Sequence, residues 1–472
     1  MGCNRGDRHR ARSVHSGVVE SLPGSNPEDS PRSSLRFPVQ HQASGYVPLS
    51  TSQQPTSANE ILSHQLECGV TVLVESNPSL RSTSMSWWVP TGSMHDLPVG
   101  SPAATSILCA GMLERGAGSM DSRAFNDALD RLGVIRSVSV QSMSTQVNAT
   151  FRREATASTL ELIADMVRRP SFADEAFEPV QSLCLQSIEG LVDDPPTLAA
   201  NHLRRLAFPA PFNRDAYGSI EEIRSTTVED LRSAWALRGR PEGGIISIAG
   251  DVDFNEVTAH LDRVLGGWQG VPPTLPDPIT PIGGDHHVQL SSSQVHIEMA
   301  LAAPAVCSDD ELPFLVASRI LGGGASSRLF ESVRERQGLC YDVHSGYIRS
   351  SAAALCTIGV GTTPERVEQT MGSIYEELER LGDDGITPEE FARVTTGLKT
   401  RLMMHGESTA GRALAMAQDL HQRGKPRTMA EVAGQIDELR HEQVDALVRR
   451  LMTPEWRSDA VRVAVGPDSP FS

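Results

Sequence analysis

The chain has 472 residues, of which 39% are hydrophobic, 21% charged and 5% aromatic. At about 100–200 residues per domain that is several globular units, and it excludes collagen-like, coiled-coil and wholly disordered chains. No run approaches the roughly 20 apolar residues of a membrane span, so no membrane role is expected. The net charge of −17 argues against nucleic acid as a partner and for neutral or basic ligands.

Residues 1–58 read as a disordered tail, rich in Ser, Pro, Gln and Gly without periodicity. The arginines at its start (Arg5, Arg8, Arg10, Arg12) precede no apolar stretch, so a secretory signal is not expected. Seven cysteines, an odd number without a CxxC pair, read as reduced thiols. The expected location is the cytoplasm, with an organellar transit peptide as the alternative.

Five prolines between 272 and 281, followed by Gly283 and Gly284, form a linker over 271–284. It divides the folded part into 59–270 and 285–470, which read as copies of each other. An alternating strand opens each half: Val70, Val72 and Val74, then Val295, Ile297 and Met299. Next come an Ile-Leu pair in a helical stretch (Ile107-Leu108, Ile320-Leu321) and a strand-like segment (Val138 to Phe151, Tyr341 to Val360). Two amphipathic helices follow in each half. One bears the stripe Leu160, Ile163 and Val167, matched by Val367, Met371, Ile374 and Leu378. Thr387-Pro388-Glu389-Glu390 is a capping box, and its helix aligns with one starting near Asp174. Ile107 and Ile320 stand 213 apart and Phe177 and Phe391 214 apart, which points to internal duplication. The expected fold class is α+β: two tandem homologous domains, each a mostly antiparallel sheet packed with helices.

The usual catalytic signatures are missing. There is no HExxH, HxxEH or GxSxG, and His286-His287, taken as linker residues, are not spaced to chelate a metal in helical geometry. Gly322, Gly323 and Gly324 lack the GK[ST] that would follow in a phosphate loop and read as a turn breaking a helix. Arg334 and Tyr341, seven residues apart, read locally as a solvated helix arginine and a core strand tyrosine.

Several segments together resemble the pitrilysin/insulinase superfamily of zinc metallopeptidases, in its bacterial, processing-peptidase-like branch. They are residues 66–93, 111–133, Asp193-Asp194-Pro195, 248–270, the string ILGGGASSRLFESVRERQGLCY at 320–341, and 387–398. In that family an HxxEH zinc motif precedes a Met-Leu pair. Here Met112-Leu113 is preceded by Ile107, Leu108, Cys109, Ala110 and Gly111, so Ile107 and Gly111 replace the histidines and Ala110 the general base. Ser187 matches the third ligand, with Glu189 close by. The resemblance therefore implies a degenerate zinc domain at 59–270 and no metal or other cofactor on this chain. At 285–470 it implies a peptidase-like domain whose Arg334 and Tyr341 bind the substrate carbonyl and oxyanion. The implied partners are an HxxEH-bearing sister subunit, which would carry the zinc, and an extended peptide substrate. A catalytically inactive scaffold or peptide-binding protein of the same fold is the alternative.

Overall fold

Residues that alternate between a buried and an opposite face build two sheets in the computed structural model, which describes residues 60–96, 105–274, 281–350 and 353–471. The expected tail at 1–58 and the central part of the 271–284 segment lie outside the described residues. The first half runs β1 (Ile61–Gln65), β2 (Thr71–Ser76), β3 (Ser82–Val89), α1 (Thr105–Leu113), the short ribbon β4 (Gly116–Ala117) and β5 (Met120–Asp121), and α2 (Ser122–Leu132). It continues through the hairpin β6 (Ile135–Val140) and β7 (Thr145–Arg152), then α3 (Thr156–Arg168), α4 (Asp174–Glu189) and α5 (Pro195–Ala207). It ends with α6 (Ile220–Ser225), α7 (Val228–Arg238), β8 (Ile245–Gly250) and α8 (Phe254–Leu265).

The second half runs β9 (Asp285–Gln289), β10 (Val295–Ala302), α9 (Glu311–Gly322), a π-helical turn at Phe330–Arg336, and the hairpin β11 (Cys340–Arg349) and β12 (Ala354–Thr362). The helices α10 (Val367–Asp384), α11 (Pro388–Gly406), α12 (Thr409–Arg423), α13 (Met429–Glu438), α14 (His441–Leu451) and α15 (Pro454–Ser458) precede β13 (Val461–Gly466). The capping box forms as read: Thr387 accepts from the Glu390 amide, and Glu390 accepts from the Thr387 amide. No helix among the described residues is long and apolar enough to cross a membrane.

Strand order is β1-β2-β8-β3-β7-β6 in one sheet and β9-β13-β10-β12-β11 in the other. Apart from β1 the two are the same. β2 and β8 are parallel, as are β9 and β13, and the remaining neighbours are antiparallel. This topology corrects one expectation. The equivalent of β10 is β3, not the Val70–Val74 run, and their starts at 82 and 295 stand 213 apart. β2 corresponds instead to β9, whose sequence DHHVQ offers no apolar alternation to match. His286 and His287 thus lie in a strand rather than in the linker, and His287 Nε2 is 3.0 Å from the Gly466 carbonyl.

One face of each sheet packs on its own half's helices, while the other is covered by a helix from the opposite half. α12 lays Ala413, Met416 and Ala417 on Leu73, Trp88, Ile245 and Ala249 of the first sheet. Reciprocally, α5 lays Ala199, Leu203, Leu206 and Ala207 on Ala300, Val463 and Val465 of the second. Polar links reinforce the exchange: Ser84 Oγ and Thr409 Oγ1 are 2.7 Å apart, and Ser247 Oγ donates to the Ala413 carbonyl at 2.5 Å. Burying a Leu or Met side chain in this way contributes about 1.5–3 kcal/mol.

Candidate active site

In the first half the relevant helix is α1. Its start is fixed by Asp96, which accepts from Thr105 Oγ1 (2.7 Å) and from the Ser106 amide (3.1 Å), and which pairs with Arg238 at 2.6 Å. All four residues are buried. Leu108, Met112 and Leu113 enter the core; Ala110 is buried as well, Ile107 is half-buried, and Gly111 faces Val180 of α4. The junction with α4 is apolar. A Cβ added at Gly111 would come within 2.7 Å of Val180 Cγ1. Ser187 is exposed and donates to the Leu183 carbonyl, while Glu189 is exposed and 3.6 Å from Arg224. The neighbouring Cys109 is buried, and burial raises the pKa of its thiol.

A zinc site needs three or four nitrogen, sulfur or oxygen ligands converging on one point. Isoleucine, alanine, glycine and an outward serine do not meet that need. Among the described residues no group of three or more His, Cys, Asp or Glu side chains is placed to hold a metal ion.

The second half brings its pair together. Gly338, in the left-handed region at φ +62°, reverses the π-helical turn into β11, and the Leu339 amide bonds back to the Val333 carbonyl at 3.0 Å. Cys340 then faces Thr362 and Asp342 faces Gly361, leaving Tyr341 on a bulge without a partner residue. A bulge re-aims its side chain, and Tyr341 is 80% exposed rather than a core tyrosine. The Arg334 guanidinium carbon lies 5.3 Å from the Tyr341 ring centre and 4.4 Å from that of Phe330. This stacking holds Arg334 on the same surface as the phenol. Its nearest carboxylate is Glu335, at 3.9 Å and exposed. Among the described residues neither side chain makes a hydrogen bond, so the arrangement offers two donors at one place.

The glycine run plays a packing part. A side chain at Gly322 would collide with the backbone of Ser345 in β11, and a Cβ at Gly323 would sit 2.6 Å from the Arg319 carbonyl. Gly324 faces open space.

Sequence reasoning missed a polar row beside Tyr341. His344 Nδ1 is 3.3 Å from Asp342 Oδ2, and Glu298 in β10 shares the surface over Gly359 with His344. Glu298 and His344 line a cavity of about 240 Å³ closed by Asn201 and Arg204 of α5. Burial, aided by the Asp342 charge, pushes the Glu298 carboxyl up to about 7. Polar residues alternating with Val295, Ile297 and Met299 look like a solvent face. Only the exchanged α5 makes that face buried.

Comparison with known families fits this geometry. Residues 71–216 match the model of insulinase, peptidase family M16, and residues 225–398 that of the peptidase M16 inactive domain. The chain belongs to the M16 family. An uncharacterized zinc protease of Bacillus subtilis, YmxG, is 24% identical over 396 residues, covering 82% of this chain and 95% of its own. One from Mycobacterium tuberculosis is 26% identical over 428 residues, covering 87% and 95%. A crystal structure of a peptidase M16 inactive domain from Pseudomonas fluorescens superposes with a TM-score of 0.77 at 21% identity, covering 87% of this chain and 98% of that one. A protease from Helicobacter pylori gives 0.78 at 17%, covering 87% and 100%. In both, the M16 half-clamshell fold is shared.

Proposed function

We propose that this M16 chain is the zinc-free subunit of a two-chain metalloendopeptidase, working in the cytoplasm. The observation that carries the reading is the exposed Arg334–Tyr341 stack, set on a π-helical turn and a bulge, in a chain whose described residues hold no group of three or more His, Cys, Asp or Glu placed to bind a metal ion. π-helical turns and bulges are irregularities that recur where a side chain is positioned for function. Water activation belongs to a sister chain bearing HxxEH.

This chain's part is to bind and to stabilise charge. β11 is an edge strand, so an extended peptide can add to it through backbone hydrogen bonds that depend little on sequence. Beside that edge, the Arg334 guanidinium and the Tyr341 hydroxyl donate to the carbonyl oxygen of the bond being cut. As that oxygen gains negative charge the two bonds strengthen, and one such donor is worth about 3–4 kcal/mol. The apolar filling of the α1–α4 junction favours a second reading, an inactive peptide-binding scaffold. Pulldown of the chain from its own cells, followed by peptidase assay of each separated chain and of the pair, distinguishes them. Recovery of a zinc-bearing M16 sister, with hydrolysis only by the pair, is the expected result; hydrolysis by this chain alone, abolished by a chelator, refutes both readings.

A further inference from the structure

A second polar cavity lies away from Tyr341, where the glycine turn after α9 meets α11. It has a volume of about 310 Å³ and is walled by Arg319 of α9 and the turn residues Gly323, Gly324, Ser326 and Ser327 on one side and by Arg393 and Arg401 of α11 on the other. Arg393, Gly397 and Arg401 recur every four residues, so they form one row along α11. Gly397, with nothing within 4 Å of a would-be Cβ, leaves a gap between the two arginines.

Charge is what sets this cavity apart. The chain is acidic overall, at −17, yet this wall holds three arginines and no Asp or Glu. Arg319 and Arg401 also border the neighbouring groove of about 800 Å³, whose other arginines are neutralised. Arg349 pairs with Glu311 at 3.1 Å, Arg423 and Arg427 with Asp419 at 3.1 and 2.9 Å, and Arg412 with Glu75. Among the described residues, Arg319, Arg393 and Arg401 have no carboxylate within salt-bridge distance. Arg393 is held to the turn by donating to the Ser326 carbonyl at 3.0 Å. Arg319 is half-buried, and burial together with the charges of Arg401 and Arg349 lowers its pKa from the usual arginine range. Ser327, 4% exposed, has a buried hydroxyl without a hydrogen-bond partner on the same wall. Arg393 feels the charge of Glu390, which also pairs with Arg328, but no carboxylate lines the cavity itself. Like charges gathered around a cavity without a lining counter-charge, beside an unpaired buried hydroxyl, are the complement of an anion.

We propose that this cavity binds a phosphate-type oxyanion, gripped by the guanidinium groups of Arg319 and Arg401, with Arg393 and Ser327 at its rim. The planar fork of an arginine meets two phosphate oxygens at once, and two such forks from α9 and α11 would clamp the helices together. The site is independent of Arg334 and Tyr341.

The test is calorimetric titration of the full chain at low salt with inorganic phosphate and with pyrophosphate, using acetate as the control anion. Saturable binding of phosphate and pyrophosphate, weakening with added salt, is expected. Arg401→Gln, which removes a charged donor, should weaken it about tenfold or more. The double variant Arg319→Gln/Arg401→Gln should abolish it, whereas Lys399→Gln, a charge already paired with Asp437, should leave it unchanged. Because the Arg319 stem packs under Gly323, folding of the double variant is checked by circular dichroism. Arg401→Gln and Arg393→Gln, both at exposed residues, decide the matter if it misfolds. No saturable binding by the unmodified chain, acetate binding as tightly as phosphate, or unchanged affinity in both single variants overturns the proposal.

Discussion

Val180 Cγ1 occupies the space beside Gly111, 2.7 Å from where a Cβ would stand. The valine, 2% exposed, replaces by packing whatever a side chain at 111 could have done there. A histidine at 111 therefore meets a filled site. We expect Gly111→His to destabilise the chain by about 1–3 kcal/mol, the usual cost of overpacking. Adding Val180→Ala should recover part of that loss, because neighbouring substitutions couple. Urea unfolding of both single variants and the double variant measures the coupling; strictly additive effects would show that the two positions do not touch. Zinc analysis of the unmodified chain should find no stoichiometric metal.

The Arg334–Tyr341 stack makes a separate prediction. In a reconstituted pair with an HxxEH chain, Tyr341→Phe removes one donor and should lower kcat about 10²–10³-fold with little change in KM. Since Tyr341 is 80% exposed, the melting temperature of the chain should not move. Arg334→Lys should not rescue Arg334→Ala, because an ammonium lacks the flat face that lies between Phe330 and Tyr341. Activity near that of the unmodified pair in Tyr341→Phe would remove the phenol from the chemistry.

These residues also show what a single sequence reveals. The duplication was readable from Ile107 and Ile320, because helix stripes and caps are local signals that survive divergence. The match of β2 with β9 was not, because Asp285–Gln289 carries no alternation and takes its place only through pairing with β13. The proximity of Arg334 and Tyr341 needed the turn at Gly338 and the bulge, neither of which has a periodicity. The exchange of α5 and α12 was invisible for another reason. Each is an ordinary amphipathic helix, and nothing in its pattern says which sheet receives it. Glu298 was missed as a consequence.

Glu298 supplies a pH dependence. In the unfolded chain its carboxyl ionises near the ordinary glutamate value of 4.5, and in the folded chain at about 7. Between those values the folded state holds a proton that the unfolded state has released, so stability falls as pH rises. The full penalty, about 3 kcal/mol, is reached above pH 7. The groups facing it are Asp342, which raises the value further, together with His344, Asn201 and Arg204 around the cavity. Glu298→Gln cannot ionise. Its unfolding free energy should gain on that of the unmodified chain as pH rises from about 5 to about 7, and then level off. A constant difference across that range would mean that Glu298 does not titrate there.

The exchanged helix α12 is anchored by a buried ion pair. Arg412 of α12 donates through Nε to Glu75 Oε2 of β2 at 2.9 Å, and both side chains are 6% exposed. Desolvation makes such a pair costly to build, so its intact contribution is small, but removing Arg412 takes the guanidinium counter-charge away from a buried carboxylate. Arg412→Ala should therefore destabilise by about 3–5 kcal/mol, more than a surface arginine could. Replacing both charges, as in Glu75→Gln/Arg412→Met, should restore most of the loss. Because α12 covers the first sheet while belonging to the second half, Arg412→Ala should also loosen β2 and β8 specifically. Hydrogen exchange would show their amides opening sooner than those of β10 and β12, where α5 still covers the sheet. Uniform protection in both sheets would mean that the pair does not hold the exchange in place.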